Sequence, residues 1–526
     1  MKSLLKTTLV LLVGCSSGDT TPIDDDTGDR INTPWDARFD ATAQTFIEQL
    51  EELGAPGVSV AIMEEGEITF SHGFGTRHPN EDNAPDGATL YRIGSVTKMM
   101  TAASLLQQME AKNTQTTDFI ATVMPELTFT LAPLRHTNIE LQHLLTHQGG
   151  FYDWTPTSGA TEPEFMKTFI EGAFASNVPF ISPAGAFYNY ANPNYMMAGY
   201  AAQVLNGERF YTELVTEDVF VPLGMERTYF YADEVLKDNN YASGATIDWT
   251  GETTESRIAV PDSYDHAAMR PAGFAWSSAE QLVRFGDFLI NGNPNVLSDD
   301  SRTAMTSEQV DTMVYPDFQH YGYGVLLNKG FSGLDGYYST PVWQHGGAIY
   351  GYSAQIFILP EYDFSIAVLS NTDGAYFNTA IAVAVESLIA DLPEPTAFPD
   401  PQIDAATFDR YVGTYVDPNN VGTLHIGLDD GILTVDAPTL TQYGYSVGTH
   451  LNPTSKDNFQ IFIDDVPYLI TFIDKEDGTP SYYLRNRIFV ATRNATLQPQ
   501  WPVAFDPETF ERNRTAPHVP ATLWLP

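Results

Sequence analysis

The sequence predicts an α/β (α+β) fold in two parts: an antiparallel sheet flanked by helices with a helical insertion, and then a small antiparallel β-domain. Strand patterns lie near residue 60 and again after residue 340, whereas residues 136–220 are mostly helical or loop-like. A proline-rich stretch at 393–402 marks a linker between the two parts. Short strand patterns separated by turns such as Asp477-Gly478 follow this linker.

The first residues of the chain predict export. Residues 1–6 are basic, and residues 7–13 form an apolar core that is too short to span a bilayer. Leu12-Val13-Gly14-Cys15 then resembles the lipobox of a bacterial lipoprotein signal, in which Cys15 becomes the lipidated first residue. We therefore expect a signal peptide at 1–15, a disordered acidic tether at 16–33 and a lipid anchor in the outer or inner membrane of a bacterial cell envelope. An ordinary secretory signal with a chance cysteine is the alternative.

The large domain is expected to span residues 34–392. A first helix ends before Gly54, and a hairpin follows at 58–70, with its turn at Glu65-Gly66. Three strands near the other end precede an apolar helix, and these segments are 342–345, 353–359, 364–369 and 377–392. Because strands come from both ends of the domain, one sheet built from both ends is the economical arrangement.

A smaller β-domain is expected at 403–496, with a tail at 497–526. Its strand patterns share β-branched and aromatic residues, and they lie at 411–415, 424–426, 432–435, 459–463, 468–472 and 482–485.

Composition narrows the possible partners. The formal net charge is −41, from 67 acidic and 26 basic residues. Such a surface repels nucleic acid and anionic membranes, so we expect no nucleic-acid partner and no membrane contact except through the lipid anchor. The single cysteine excludes an intramolecular disulfide.

The stretch from Tyr91 to Leu106 predicts a short loop that leads into a helix. Met99, Ala103 and Leu106 recur at helical spacing, and Ser95 and Lys98 lie one turn apart on the same face. A serine hydroxyl is a weak nucleophile until a base takes its proton. A partly buried lysine can act as that base, because desolvation lowers its pKa.

Two further segments complete a set of motifs. Tyr190-Ala191-Asn192 lies in the segment 183–195, and His345-Gly346-Gly347 opens the segment 345–353. Together with Ser95-Val96-Thr97-Lys98 they resemble the Ser-x-x-Lys, Tyr-x-Asn and Lys/His-x-Gly motifs of the serine β-lactamase and penicillin-binding superfamily. The likeness is closest to its class C-like branch of esterases, D-peptidases and β-lactamase-related proteins. It covers residues 36–392 and implies a β-lactamase/transpeptidase-like domain, and similar family members carry a lipocalin-like barrel at the C-terminal end.

The resemblance implies a role for each motif residue. Ser95 would attack a carbonyl and form an acyl-enzyme, and Lys98 and Tyr190 would share the general-base and general-acid work. A phenol is a poor base, so the Lys98 ammonium is expected to favour the Tyr190 phenolate. Asn192 would bind Lys98 and the substrate. Backbone N–H groups of Ser95 and Ala348 would form the oxyanion hole, and Gly347 would leave room for substrate along its strand.

The implied function is that of a serine hydrolase acting on ester or amide bonds of a small molecule or short peptide, including D-amino-acid peptides or β-lactams. No cofactor or metal is implied. By the same resemblance His345 would bind substrate, but it stands where a lysine is usual, which weakens the expected binding of a β-lactam carboxylate. The alternative function is that of a catalytically silent, penicillin-binding-like sensor or peptidoglycan-binding lipoprotein.

Two other patterns favour structural roles. The segment Gly444-Tyr445-Ser446-Val447-Gly448 matches the G-x-S-x-G elbow, but no helix is expected after it. His143 and His147 have a spacing that suits a metal, but no third ligand accompanies them.

Overall fold

Strands from both ends of the large domain share one sheet in the computed structural model, which describes residues 35–493 except 79, 208, 246–257, 260, 316 and 419. The predicted signal peptide with Cys15, the tether at 16–33 and the tail at 497–526 lie outside the described residues. All described residues belong to one compact unit, and the domain boundaries stay predictions. Among these residues, no helix combines the length and the apolar character that crossing a bilayer requires.

Several helices end at a glycine or asparagine in the left-handed conformation. The α-helices in the described part of the chain are α1 (Asp40–Leu53), α2 (Thr97–Lys112), α3 (Ile120–Val123), α4 (Leu141–Leu145), α5 (Phe165–Phe169), α6 (Ala175–Asn177), α7 (Asn192–Asn206), α8 (Tyr211–Val215), α9 (Ala232–Asp238), α10 (Arg270–Gly273), α11 (Ala279–Asn291), α12 (Asp299–Met305), α13 (Asn378–Leu388) and α14 (Pro438–Gln442). Asn113 ends α2 in the left-handed conformation, where its N–H bonds back to the last turn. Met99, Ala103 and Leu106 are buried on α2, as their spacing predicts.

The large sheet confirms the predicted arrangement. The first strands of the chain are β1 (Gly57–Glu64), β2 (Glu67–Gly75), β3 (Tyr91–Arg92), β4 (Gly244–Ala245), β5 (Ile258–Ala259), β6 (Trp276–Ser277), β7 (Val310–Asp311), β8 (Gln319–Tyr321), β9 (Leu326–Asn328), β10 (Phe331–Ser332), β11 (Tyr337–Tyr338), β12 (Val342–Ile349), β13 (Tyr352–Leu359) and β14 (Phe364–Ser370). The eight-stranded sheet has the order β2-β1-β14-β13-β12-β9-β8-β7. Strand β1 therefore pairs with β14 from the far end of the domain, with Val58 opposite Ser370.

Alternate residues of this sheet face two hydrophobic cores. Val58, Val60 and Ile62 pack in a cluster with residues of α1 and α13. Ala61 and Met63 belong to the larger cluster that contains α2 and α11. The period of two places a helical layer on each face of the sheet, because successive strand residues point to opposite sides. Helix α2, which follows Ser95, is thus fixed in the larger core.

The C-terminal part is a barrel-like antiparallel sheet. Its strands are β15 (Gly413–Asp417), β16 (Gly422–Asp429), β17 (Ile432–Asp436), β18 (Asn452–Ser455), β19 (Asn458–Ile463), β20 (Val466–Ile473), β21 (Tyr483–Asn486) and β22 (Phe489–Arg493). Their order is β17-β16-β15-β22-β21-β20-β19-β18. The segment 447–451 bonds to both β17 and β19 and so nearly closes the sheet. The sequence patterns do not predict β18, in which Pro453 weakens the strand signal, or β22.

The barrel packs against the loop that precedes α7. Phe187 of this loop lies in an apolar cluster with Ile473, Tyr483 and Val490 of the barrel. The buried Arg485 of β21 donates hydrogen bonds to the Tyr188 carbonyl and, at 3.0 Å, to the Thr312 carbonyl. These contacts attach the loop that carries Tyr190 to the barrel.

Candidate active site

Ser95 lies in a short 3₁₀ turn that leads directly into α2. Gly94 has a φ of +51°, and a Cβ at this position would lie 2.7 Å from the Ala348 nitrogen. A Cβ on Gly347 would lie 2.0 Å from the Ile93 carbonyl oxygen. The two glycines therefore let the Ser95 turn lie directly against β12, with the Ala348 N–H beside it. The Ala348 N–H is thus near Ser95, where the expected oxyanion hole needs it, whereas the space left by Gly347 is taken by the Ile93 carbonyl and not by substrate.

Lys98 is fully buried and points at the serine. Its Nζ lies 3.0 Å from Ser95 Oγ, 2.8 Å from Asn192 Oδ1 and 2.5 Å from the Ala272 carbonyl oxygen. Burial lowers the pKa of Lys98 well below its usual range, and the nearby Arg487 lowers it further. A neutral amine can donate to Asn192 and Ala272 and still accept a hydrogen bond from Ser95. The geometry therefore suits Lys98 as the base.

Tyr190 lies beside Lys98. The Lys98 Nζ lies 4.8 Å from the centroid of its ring. Burial raises the pKa of Tyr190 above its ordinary value, although Arg487 and the nearby Ser95 hydroxyl act in the opposite direction. The structure thus differs from the sequence-based expectation of a phenolate. Because burial favours the phenol at Tyr190 and the amine at Lys98, the arrangement suits Tyr190 as the acid of the pair and Lys98 as the base.

Asn192 begins α7 and holds Lys98, as expected. Its Nδ2 donates to Thr155 Oγ1 at 2.7 Å, and its backbone N–H donates to Asp153 Oδ1 at 2.8 Å. Both ends of the side-chain amide therefore have protein partners. Nδ2 carries two N–H donors, so the expected bond from Asn192 to substrate does not require the bond to Thr155 to break.

His345 is 3% exposed and lies under the site on β12. Its Nδ1 donates to the Gly346 carbonyl at 2.7 Å, so Nε2 accepts from the Tyr321 hydroxyl at 3.1 Å. Burial, together with Lys98, lowers the pKa of His345 to about 3. The ring is therefore neutral, and both of its nitrogens have partners inside the protein. The role in substrate binding that the resemblance implied for His345 would require one of these bonds to break.

His147 contacts Tyr190, although its position in the sequence does not indicate this contact. Its ring stacks on that of Tyr190, with 4.1 Å between centroids. Its Nδ1 accepts from the Ala191 N–H at 3.1 Å, and its carbonyl accepts from the Asn189 N–H at 3.0 Å. The residue thus holds the backbone on both sides of Tyr190. Its own φ of +57° lies in the left-handed region.

Asp153 and Arg487 complete the site and are not predicted by the sequence. Arg487 Nε donates to Asp153 Oδ2 at 2.8 Å, although the two residues are 334 positions apart. The Arg487 guanidinium carbon lies 4.7 Å from the centroid of the Tyr190 ring. Arg487 lies in the turn between β21 and β22, so one charged group of the site belongs to the barrel.

Ser446 lacks the surroundings of a nucleophile. It is exposed, and its N–H donates to Asp464 Oδ1. Strand β18 follows it instead of the helix that a nucleophile elbow needs. His450 is exposed and bonds to Thr449 Oγ1.

Ser95, Lys98, Tyr190 and Asn192 thus meet beside β12, an interior strand of a sheet covered by helices on both faces. This combination defines an active-site-serine protein of the β-lactamase and penicillin-binding type. A family model described as Beta-lactamase matches residues 42–388, and the chain belongs to this family. Placement in the class C-like branch stays a prediction.

Individual relatives differ in how much of the chain they match. The chain is 25% identical over 376 residues to unguisins hydrolase ungD′ of Aspergillus campestris (strain IBT 28561), covering 68% of this chain and only 65% of that relative. It is 22% identical over 462 residues to penicillin-binding protein 4* of Bacillus subtilis (strain 168), covering 84% of this chain and 95% of that relative. The solved D-amino acid amidase from Ochrobactrum anthropi SV3, complexed with L-phenylalanine amide, matches with a TM-score of 0.56 and 20% identity, covering 67% of this chain and 99% of that chain. This last likeness concerns the fold alone.

Proposed function

We propose that this protein is a serine hydrolase that forms an acyl-enzyme at Ser95 and cleaves ester or amide bonds. The observation that carries this proposal is the 3.0 Å distance from Lys98 Nζ to Ser95 Oγ, in surroundings that lower the pKa of Lys98. A neutral amine at hydrogen-bonding distance is what activation of a serine hydroxyl requires.

The reaction follows from these contacts. Lys98 takes the proton of Ser95 as Oγ attacks the carbonyl carbon, and the N–H groups of Ser95 and Ala348 donate to the developing oxyanion. The Tyr190 hydroxyl gives its proton to the leaving group and regains one from Lys98. Water then attacks the acyl-enzyme by the same route, and Ser95 is released.

The substrate class that we propose is small esters and amides, including those of D-amino acids, in preference to β-lactams. His345 is held neutral on β12, so it offers no charge to a β-lactam carboxylate. The overall charge of −41 also disfavours anionic substrates. The D-amino acid amidase of the same fold indicates which compounds to test first.

The test combines labelling with a hydrolysis panel. A fluorophosphonate should label Ser95, and the panel should contain p-nitrophenyl esters, D-amino-acid amides, D-Ala-D-Ala peptides and nitrocefin. Ser95→Ala should reduce hydrolysis by about a thousandfold or more, whereas Ser446→Ala should keep the wild-type rate. An active Ser95→Ala variant contradicts the proposal. Labelling without turnover of any compound favours the silent sensor.

We also propose that the protein is an exported lipoprotein anchored through Cys15. The lipobox-like Leu12-Val13-Gly14-Cys15 supports this, because it follows a basic start and a short apolar core. The native protein should partition with membranes and Cys15→Ser should not. Equal partitioning of the two proteins would contradict lipidation.

A further inference from the structure

The turn between β21 and β22 brings the barrel to the catalytic serine. Arg485, in β21 just before this turn, donates to the Tyr188 carbonyl, and Asn189 Nδ2 donates to the Arg487 carbonyl at 3.4 Å. The turn is therefore attached to the two residues that precede Tyr190. Arg487 extends from it toward Tyr190, and its side chain is 28% exposed.

Arg487 makes two contacts with the site. One is with Tyr190, and the other leads through Asp153 to Asn192 and Lys98. Its guanidinium carbon lies 4.7 Å from the Tyr190 ring centroid, within the range of a cation–π interaction. Its Nε donates to Asp153 Oδ2, and the other oxygen of Asp153 accepts from the Asn192 N–H. Asn192 in turn accepts from Lys98. A path of contacts thus runs from the barrel to the proposed base.

The charge of Arg487 has a consistent effect on the groups that surround it. It lowers the pKa of Lys98, of Tyr190 and of His147, whereas Asp153 acts in the opposite direction on Lys98 and Tyr190. A nearby cation favours the neutral amine and makes the phenol a stronger acid. In the proposed reaction Lys98 accepts the proton of Ser95 and Tyr190 donates a proton to the leaving group, and the charge of Arg487 favours both transfers.

We propose that Arg487 is a positioning residue through which the C-terminal barrel completes the catalytic site, acting on Tyr190 directly and on Lys98 through Asp153 and Asn192. The inference rests on the proposed function, since it concerns the activation of Ser95. By this inference the barrel supplies a residue of the site. The ion pair between Arg487 and Asp153 is the specific link between the barrel and the large domain.

The experiment uses neutral probes, so that no substrate carboxylate is available to Arg487. The rate of Ser95 labelling by a fluorophosphonate, and kcat and KM for p-nitrophenyl acetate, are measured for Arg487→Met, Arg487→Lys, Asp153→Asn and the double variant Arg487→Met/Asp153→Asn. Arg410→Met is the matched control, because Arg410 is also a barrel arginine with an ion pair, to Asp474 at 2.7 Å, but lies away from the site. Melting temperatures are recorded for all variants.

We expect Arg487→Met and Asp153→Asn each to lower kcat and the labelling rate at least about tenfold, with KM within about twofold. Arg487→Lys should recover part of the loss, because it restores the charge without the planar fork. The double variant should be no slower than the slower single variant, because both changes break one path. Arg410→Met should match the wild type.

Three results would overturn the inference while leaving the proposed function intact. The first is wild-type labelling and turnover in all the Arg487 and Asp153 variants. The second is a wild-type rate with these neutral probes together with a loss when the same variants are given the D-Ala-D-Ala peptides of the hydrolysis panel, which would make Arg487 a substrate-binding residue. The third is full additivity in the double variant. If Arg487→Met does not fold, Arg487→Lys and Asp153→Asn decide by the same criteria. A wild-type protein that is not labelled at Ser95 overturns the proposed function itself.

Discussion

The two sides of the catalytic site are built in different ways. On the helix side, Ser95 and Lys98 are three positions apart at the start of one buried helix, and their contact follows from helical geometry. On the loop side, the Tyr190 ring is contacted by His147 from a distant segment and by Arg487 from the barrel, and Asp153 bonds to Arg487. The comparison teaches that the proposed nucleophile and base depend on local helix geometry, whereas the proposed acid, Tyr190, depends on contacts between distant segments. Substitutions on the two sides should therefore differ in magnitude and in kind.

The largest effect is expected for Lys98→Met on the helix side. Hydrolysis should fall by about a thousandfold or more, because no other described base contacts Ser95 Oγ as Lys98 does. At pH 7 the free energy of unfolding should rise by about 2 kcal/mol, because the desolvation of a buried amine outweighs the two bonds lost by Asn192 and Ala272. Ester hydrolysis and urea unfolding measure the two quantities.

The pH dependence of stability sharpens this prediction. The pKa of Lys98 is lowered in the folded state, so the unfolded state binds more protons at neutral pH. The wild type should therefore gain stability between pH 7 and pH 9, and Lys98→Met should gain less. Lys112→Met, on the exposed last turn of the same helix, should behave as the wild type. A fall in stability on loss of the Lys98 amine would show that the lysine stabilises the fold.

The sequence predicts the helix side well and the loop side poorly, for a physical reason. The relation of Ser95 to Lys98, the capping of α2 by Asn113 and the pairing of β1 with β14 follow from local spacing or from hydrophobic pattern. Arg487 has no such signal, because its function depends on a contact across 334 positions. A single sequence does not reveal which turn of the barrel meets which loop.

The protonation states of Tyr190 and Lys98 could not be predicted from the sequence either. The resemblance implies that Tyr190 and Lys98 share the acid and base work, and with that role a phenolate beside an ammonium is expected. The structure buries both groups, and burial acts against both charged forms. His147 was expected to be structural because it lacks metal-binding companions. Its stacking on Tyr190 becomes visible only when the loop is placed in three dimensions.

A smaller effect is expected on the loop side, at His147. His147→Asn should lower kcat about tenfold with little change in melting temperature. Asparagine tolerates the left-handed backbone at this position but removes the ring that stacks on Tyr190. His143→Asn is the matched control, because His143 lies four positions earlier and bonds to the Glu140 N–H instead of the catalytic loop. Its kcat should stay within about twofold of the wild type. Equal rates for both variants would show that Tyr190 needs no support from the ring of His147.

The smallest effect is expected at His345, whose ring bonds to the Tyr321 hydroxyl, and it concerns the pH dependence of stability. The folded-state pKa of His345 is about 3, against an ordinary value of 6.5, because the ring is buried near Lys98. Below pH 6.5 the unfolded state therefore binds a proton that the folded state does not bind. Stability should fall as the pH decreases from 6.5 toward 3, by at most about 1.4 kcal/mol per pH unit from this residue.

His345→Gln tests this directly, because an amide keeps one donor for the Gly346 carbonyl and one acceptor for the Tyr321 hydroxyl while it removes the titrating group. In urea unfolding, the wild type should lose about 1 kcal/mol more than His345→Gln between pH 7 and pH 5.5. His147, which is also buried with a lowered pKa, contributes to both proteins and so cancels in the difference. His450→Gln, on the exposed rim of the barrel, should keep the wild-type dependence. Parallel curves for the wild type and His345→Gln would mean that the ring accepts a proton in the folded state. The third motif could then offer a positive charge to substrate in mildly acidic solution, and the proposed preference for neutral esters and amides would fail there first.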